Sequence, residues 1–210
     1  MLLHSQSHTI HGFWPDQKAT QKYGSFNVSI FEKELKLLDD MNNYWPPKVK
    51  KSTDHSFLWE HEWDTHGQDY AHIIYQLRPD DFPGGTTERN AALQLAYFKD
   101  TIALYKNLNV QKLPGASFSK SAYASQLGVS EKYLYFACFK GSSIRETYAC
   151  YEITKEGMKL KDCTKSTSTC ANGGAVIELY QWYHKSQQRV FNLTKQNAEN
   201  QLRIDEEVLK

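Results

Sequence analysis

The sequence predicts a single domain that contains both α-helices and β-strands. The chain has 210 residues, enough to bury one substantial core, and its 5 Trp, 13 Tyr and 10 Phe favour a packed interior. Apolar residues recur at helical spacing after residue 86, whereas residues 133–163 alternate as strands separated by turns do. We expect residues 1–190 to form the domain and residues 191–210 to form a polar tail.

Helices are predicted mainly in the first two thirds of the chain. The longest begins at Thr86 or Thr87 and ends near Asn107. Residues 57–68 are predicted to form a helix that ends at Gly67, and residues 118–127 one that is capped by Ser119. A further helix is predicted from residue 30 to about residue 41, with Ser29 as its cap. The expected core-facing residues are Ala91, Leu95, Phe98, Ile102, Tyr105 and Leu108 in the longest helix and Phe31, Leu35, Leu38 and Met41 in the last.

Strands are predicted at both ends of the domain. A short strand over residues 8–12 ends where Gly12 and Pro15 break the pattern. Residues 133–140 and 146–154 predict two longer strands, followed by a hairpin at Glu156 and Gly157. Residues 175–184 predict a last strand.

The charge and the cysteines limit the possible environments. The formal net charge is +1, so no strong field attracts a polyanion at neutral pH, although 8 His would make the surface cationic in acid. No apolar run approaches transmembrane length. Two sequons, at Asn27 and Asn192, and an even number of late cysteines indicate an oxidising secretory route and two disulfides in one of three connectivities. The first three residues are too short for a signal peptide, so either the start is truncated or the protein is cytosolic, and we expect truncation.

Two segments concentrate histidine beside tryptophan. The first is His8-Thr9-Ile10-His11-Gly12-Phe13-Trp14-Pro15-Asp16, and the second is Phe57-Leu58-Trp59-Glu60-His61-Glu62-Trp63-Asp64-Thr65-His66-Gly67. Histidine exchanges protons near neutrality without prior tuning. Two such segments, far apart in sequence, predict a site that folding closes around one reacting group.

The second segment does not match a zinc protease. That class uses H-E-x-x-H, whereas this sequence has three residues between Glu62 and His66. On a regular helix His61 and His66 would lie about 140° apart, so they would not share one zinc ion. We therefore expect no metal and no other cofactor.

A metal-free phosphodiester cleavage fits the two segments better. RNA supplies its own nucleophile, the 2′-hydroxyl, so one neutral and one protonated histidine suffice for the proton transfers. His11 and His66 are the candidates for these roles, and Glu62 could orient His66 from one helical turn away. His61 could hold a phosphate oxygen. Trp14 could stack on a base while Asp16 accepts from its exocyclic amine.

Both segments resemble those of the ribonuclease T2 family. Residues 9–16 resemble its first active-site segment, T-I-H-G-L-W-P, and residues 59–67 resemble its second, W-x-H-E-W-x-K-H-G-T-C. Residues 44–46, residues 97–98 and the cysteine-bearing region also look like family positions, so the resemblance covers about residues 8–175. It implies an α+β fold with a central antiparallel sheet flanked by helices.

The resemblance also implies an activity. It implies a secreted, vacuolar or lysosomal glycoprotein, acting as a monomer, that cuts single-stranded RNA through 2′,3′-cyclic phosphates. It implies that His11 and His66 are the acid–base pair, without deciding which is which, and we assign His66 as the base of the first step and His11 as its partner at the cyclic phosphate. Glu62 and His61 would assist at the phosphate, and Trp14 and Asp16 would belong to a base pocket. The implied disulfides are Cys150–Cys163 nested within Cys138–Cys170.

Three departures from the family pattern stand out. Thr65 occupies the lysine position, which removes a permanent cation, and such a loss costs on the order of 10²–10³ in rate by analogy with oxyanion donors. Asp69 occupies the position of a cysteine whose partner is absent too. The strand that precedes the first segment is expected to be missing. An alternative is therefore a catalytically weakened family member that binds RNA or a partner.

Overall fold

The computed structural model describes residues 2–4, 9–46, 56–110, 119–139 and 143–163. All of them lie within one compact unit. The predicted boundary between residues 190 and 191, the predicted strand 175–184, Asn192 and Cys170 fall outside the described residues. Within the described part, no helix is both long enough and apolar enough to cross a membrane.

The main sheet has four antiparallel strands in the order β2-β1-β4-β3. These strands are β1 (Leu2–His4), β2 (Ile10–Gly12), β3 (Leu134–Phe139) and β4 (Ser143–Ala149). The predicted strand 146–154 is divided at Cys150. Its second half, β5 (Tyr151–Thr154), pairs with β6 (Gly157–Leu160) in a separate two-stranded sheet, which is the predicted hairpin.

A strand does precede the first histidine segment, contrary to expectation. β1 lies between β2 and β4, and its backbone pairs with both. It therefore joins the strand that carries His11 to the C-terminal strands of the sheet. A three-residue strand is too short to show an alternating sequence pattern. Its position is instead fixed by hydrogen bonds to two neighbouring strands.

The α-helices of the described residues all lie between β2 and β3 in the chain, and the last of them comes just before β3. They are α1 (Leu35–Tyr44), α2 (Ser56–Glu62), α3 (Gln68–Leu77), α4 (Thr86–Asn107) and α5 (Lys120–Leu127). A π-helical turn, Trp63–Gly67, joins α2 to α3 without a break. Short 3₁₀ helices span Val28–Phe31, Pro79–Asp81 and Glu131–Tyr133.

The limits of α4 and α5 follow the sequence closely. The Ser119 side chain accepts from the backbone N–H of Ala122, so Ser119 is the predicted cap of α5. Gly128, at φ 76°, ends α5 in the left-handed conformation that lacks a steric penalty only for glycine. The predicted stripe of α4 is buried at Phe98, Ile102 and Tyr105, and Ala91 and Leu95 are half-buried.

The predicted helix 30–41 is wrong in its first half. Asn27, not Ser29, caps a 3₁₀ helix, and α1 begins only at Leu35. Leu35 is 71% exposed, and Leu37 takes the buried position instead. The 3₁₀ helix that Asn27 caps ends at Phe31. The apolar spacing predicted from residue 30 therefore does not continue into α1.

The core is largely aromatic and lies beneath the two histidine segments. Phe98 contacts three other rings with centroid distances of 5.0–5.3 Å. These rings belong to Phe31, Trp45 and Tyr97, and all four residues are fully buried. Large rigid rings bury much area with little loss of side-chain entropy, so this cluster forms a firm floor for the site.

Candidate active site

The backbone of the first histidine segment is held by polar atoms of the aromatic core. Trp45 donates its indole N–H to the His11 carbonyl oxygen at 2.8 Å. Tyr97 donates its hydroxyl to the Phe13 carbonyl oxygen at 3.2 Å. Because a buried carbonyl without a donor is costly, these bonds fix the path of the chain that presents His11 and Trp14.

The second segment contains a widened helical turn that the sequence did not predict. Gly67 has helical torsions, φ −62° and ψ −31°, and the helix continues through it instead of ending. A Cβ atom at Gly67 would collide with the ring of Trp63. Gly67 therefore provides room for a buried tryptophan and does not act as a C-cap. In a π-helical turn, residues five apart come closer to one face than in an α-helix.

This turn corrects the angle assumed for His61 and His66. The turn lies between His61 and His66, so the angle of a regular helix does not apply to this pair, and the positive charge of His61 lowers the pKa of His66. Within the described ranges, no three histidine, cysteine or carboxylate side chains form a group that could hold a metal ion.

Glu62 and Trp14 form the link between the two segments. Trp14 donates its indole N–H to Glu62 Oε2 at 3.0 Å. Glu62 is 1% exposed, and burial raises the pKa of its carboxyl group to about 7, against a smaller lowering by the Trp14 hydrogen bond. A Cβ at Gly12 would collide with both partners, so only glycine fits beside this bond. The carboxyl group is therefore mostly neutral at acid pH.

His66 packs against Trp14, the residue that also donates to Glu62. Its ring stacks on Trp14 with a centroid distance of 4.9 Å and an interplanar angle of 23°. Burial lowers the pKa of His66 to about 4, and the positive charges of Lys18, His61 and His11 lower it as well, while Asp69 raises it. His66 is thus neutral, and able to accept a proton, down to acid pH.

His11 completes the cluster at the edge of the tryptophan. Its ring meets Trp14 edge-on with a centroid distance of 5.0 Å. His11 Nδ1 lies 3.6 Å from Glu146 Oε1, and Tyr148 donates its hydroxyl to the other oxygen of Glu146 at 3.1 Å. Trp14 therefore contacts both candidate proton-transfer groups and the buried carboxyl.

Sequence reasoning missed Glu146 and Tyr148. Both lie on β4, two residues apart, so alternation places them on one face of the strand. The sequence contains that alternation, but it does not say which face meets the histidine segment. Only the pairing of β1 with both β2 and β4 brings Glu146 beside His11.

A second contact that the sequence analysis missed ties α3 to the chain after the first segment. Lys18 Nζ lies 2.8 Å from Asp69 Oδ2, and the Ala19 backbone N–H donates to Asp69 Oδ1 at 2.8 Å. Asp69, which stands where the family pattern has cysteine, is 5% exposed. Its carboxylate makes a non-covalent tie between these two parts of the chain.

The remaining site candidates take no part in the hydrogen bond and ring contacts by which Trp14 joins His11, Glu62 and His66 in the described part of the chain. His61 and Asp16 are exposed, and Asp16 has no hydrogen bond or ion pair with the described residues. Asn27 is exposed, and its side chain accepts from Ser29 N–H and Ser29 Oγ. Cys150 and Cys163 form a disulfide with a Cα–Cα distance of 5.4 Å. Cys138 is also disulfide-bonded, and its expected partner, Cys170, lies outside the described residues.

The fold and this cluster define a mixed α+β protein with a histidine-based acid–base site. A sequence model of the Ribonuclease T2 family matches residues 2–163. The chain belongs to that family, and the predicted fold class and resemblance are confirmed.

Known relatives share the family but are longer than the matched region. Ribonuclease T2-A of mouse is 29% identical over 162 residues, covering 75% of this chain and 59% of the relative. Human Ribonuclease T2 is 29% identical over 163 residues, covering 75% of this chain and 60% of the relative. The chain thus matches about 60% of the length of these relatives.

A solved structure supports the fold. The crystal structure of an RNase MC1 mutant in complex with 5′-GMP superposes with a TM-score of 0.51 at 24% identity. The match covers 74% of this chain and 78% of that one. At this identity the likeness bears on the fold alone.

Proposed function

We propose that the protein is an endoribonuclease that cleaves single-stranded RNA by transesterification through 2′,3′-cyclic phosphates, without a metal. The observation that supports this most strongly is the single cluster of His11, His66 and Glu62 around Trp14. An imidazole that stays neutral in acid beside a carboxyl group that stays protonated is a pair suited to acid–base chemistry below pH 7.

In the proposed first step, His66 acts as the base. It takes the proton of the 2′-hydroxyl while the O2′–P bond forms and the P–O5′ bond breaks. Protonated His11 gives its proton to the leaving O5′, so charge and protons balance. The cyclic phosphate then opens by the reverse roles with water as the nucleophile, in which His11 takes a proton and His66 returns one.

Other residues of the site have supporting roles in the proposal. Glu146 fixes the orientation of the His11 ring through Nδ1. Neutral Glu62 and the exposed His61 assist at the phosphate. A base stacks on the face of Trp14 that His66 does not cover, and Asp16 accepts from its exocyclic amine.

Cleavage of a fluorescent single-stranded RNA from pH 4 to pH 8 in EDTA tests the proposal. We expect cyclic-phosphate ends, no cleavage of a substrate with 2′-deoxyribose at the scissile position, and a loss of at least about 10³-fold in both His11→Ala and His66→Ala. His72→Gln is the matched control, because His72 is buried among Tyr23 and Gln76 outside the cluster. Cleavage that EDTA abolishes would refute the mechanism. A folded protein that binds RNA without cutting it would favour the alternative of a binding protein.

The pH profile provides a second test. Because neutral His66 is the base, we expect kcat/KM to fall below about pH 4 as His66 becomes protonated. It should fall again near pH 7 as Glu62 ionises. Glu62→Gln should change the upper limb, which then depends only on the proton that His11 must hold as the acid, and leave the lower limb, which pH titration of both proteins would show. An unchanged upper limb in Glu62→Gln would refute a role for that carboxyl group.

Glu146→Gln tests the orienting role. Gln can still accept a hydrogen bond but carries no charge, so we expect kcat to fall about 10-fold with little change in KM. Glu152→Gln on β5, an exposed carboxylate, is the control. Equal kcat values for both variants would remove Glu146 from the proposed site.

We also propose that the protein acts as a monomer and is secreted or delivered to a lysosome or vacuole. The Cys150–Cys163 disulfide supports an oxidising route, and the exposed Asn27 is accessible to glycosylation. Expression in a secretory cell, with Asn27→Gln as the variant, should show a glycan-dependent loss of mass. Failure of the chain to leave the cell when a signal peptide is added would contradict the proposal.

A further inference from the structure

Lys18 forms an ion pair with a buried carboxylate in the first turn of α3. Asp69 is 5% exposed, and it accepts from both Lys18 Nζ and the Ala19 backbone N–H at 2.8 Å. The Lys18 side chain is 72% exposed. An ammonium group has three donors, and Asp69 takes one of them. Asp69 therefore fixes the position of the Lys18 side chain, and the rest of the ammonium group is exposed to solvent.

This position is next to His66. Asp69 follows His66 by three residues along one continuous helical stretch, and side chains at that spacing are neighbours. The charge of Lys18 is felt there, since it lowers the pKa of His66 more than the charge of either other histidine does. The ion pair with Asp69 and the spacing of Asp69 from His66 together place the ammonium group near the candidate base, in agreement with its effect on the pKa of His66.

The proposed chemistry needs a positive charge at this place. Negative charge accumulates on the phosphorus-bound oxygens as O2′ attacks, and a fixed cation stabilises it. Glu62 and His66 are both neutral in the acid range, and Thr65, which is exposed beside His66, carries no charge. Among the charges that act on His66 within the described residues, Lys18 is a permanent cation.

We propose that Lys18, oriented by Asp69, binds the scissile phosphate and stabilises the charge that develops on it. This inference rests on the proposed RNA cleavage. It also accounts for a neutral Thr65 beside His66, because the cation then comes from a different part of the chain. Lys18 would act directly on the substrate, and Asp69 would be a positioning residue.

The first experiment compares Lys18→Gln with Lys99→Gln on single-stranded RNA. Gln at residue 18 keeps a donor for Asp69 and removes only the charge. Lys99 pairs with Glu34 at 3.0 Å and is the control for loss of an ion-paired lysine. We expect kcat/KM to fall on the order of 10-fold to 100-fold for Lys18→Gln, to stay near wild type for Lys18→Arg, and to change less than twofold for Lys99→Gln.

Two further readouts separate a role at the phosphate from a structural one. Thr65→Lys in the Lys18→Gln background should restore most of the lost kcat/KM, because it returns a cation beside His66. The acid limb of the pH profile should also move to higher pH in Lys18→Gln, because a charge that lowers the pKa of His66 is gone. The Asp69, His61 and His11 charges that also act on His66 are unchanged in this variant.

The outcomes distinguish the two proposals. If wild type cleaves RNA and His66→Ala does not, but Lys18→Gln matches Lys99→Gln with an unmoved acid limb, the role of Lys18 is refuted and the proposed function stands. If Lys18→Gln is impaired and Thr65→Lys does not rescue it, the phosphate role is refuted in favour of a structural one. If wild type does not cleave RNA at any pH, both proposals fail together.

Discussion

Two helical stretches of similar length run through the molecule, and they differ in regularity. α4 is an uninterrupted α-helix, and the stretch from Ser56 to Leu77 widens at Trp63–Gly67. Both contain buried polar side chains. In α4 these are the neutral Gln94 and Thr101, whereas the widened stretch buries Glu62 at the edge of the wide turn and half-buries His66 within it.

The difference indicates where the irregular helical turn and the ionisable groups are placed in this fold. α4 packs its aromatic side chains against the other core rings next to the candidate site. The widened stretch gives up regular hydrogen bonding at the point where Glu62 and His66 must both reach Trp14. Irregular helical turns of this kind occur often at functional sites. Three substitutions test whether the wide turn and the buried carboxyl group of Glu62 are needed for the candidate site.

The largest expected effect is that of Glu62→Gln, which replaces one buried ionisable group of the widened stretch by a neutral amide like Gln94 of α4. Folding raises the pKa of Glu62 from an ordinary 4.5 to about 7, so the folded protein holds a proton that the unfolded chain releases between these values. The stabilisation from that proton is complete below pH 4.5 and is lost as pH rises through 7. Relative to wild type, Glu62→Gln should therefore gain about 3 kcal/mol in free energy of unfolding between pH 4.5 and pH 7.5.

Urea unfolding at several pH values measures this difference. Glu60→Gln is the control, because Glu60 is exposed two residues earlier on α2 and should change stability by less than about 0.5 kcal/mol throughout. A difference between Glu62→Gln and wild type that is constant with pH would mean that Glu62 is not protonated in the folded state.

Gly67→Ala should have the next largest effect, by closing the space that the wide turn provides. Alanine normally stabilises a helix relative to glycine, by about 1 kcal/mol. Here the added methyl group collides with the Trp63 ring, so we expect destabilisation by about 2 kcal/mol and a loss of cleavage. Thermal or urea unfolding and initial cleavage rates would measure both.

Ala103→Gly in α4 provides the matched comparison. Ala103 is exposed, so this change should cost about 1 kcal/mol and leave cleavage intact. If Gly67→Ala stabilised the protein instead, the wide turn would be an ordinary helix with a replaceable glycine.

Tyr97→Phe should have the smallest effect on stability and tests the link from α4 to the first segment. The change removes only the hydroxyl that donates to the Phe13 carbonyl oxygen. We expect a cost of about 1 kcal/mol and a several-fold lower kcat, because the chain that presents His11 and Trp14 loses a fixed point. Tyr123→Phe, which loses a hydroxyl contact with Thr147, should cost similar stability without lowering kcat. Equal kcat values in the two variants would show that this hydrogen bond does not position the site.

Much of the regular structure could be predicted from local pattern. The ends of α5 follow from Ser119 and Gly128, and the extent of α4 follows from its apolar period. These features depend on residues within a few positions of one another. The predicted end at Gly67 was wrong because a glycine suits either a left-handed cap or a close ring contact, and the local sequence is the same for both.

The sequence by itself determined the family and the mixed fold, and its two long segments contain the three side chains, His11, Glu62 and His66, that contact Trp14. Only the tertiary structure decided their states. The pKa of Glu62 near 7 and that of His66 near 4 arise from burial against Trp14 and from charges distant in sequence. Glu146 lies beside His11 because of strand pairing, and Lys18 is paired with a buried carboxylate on α3. Solvation and charge depend on what surrounds a group in space, and a linear pattern does not record that.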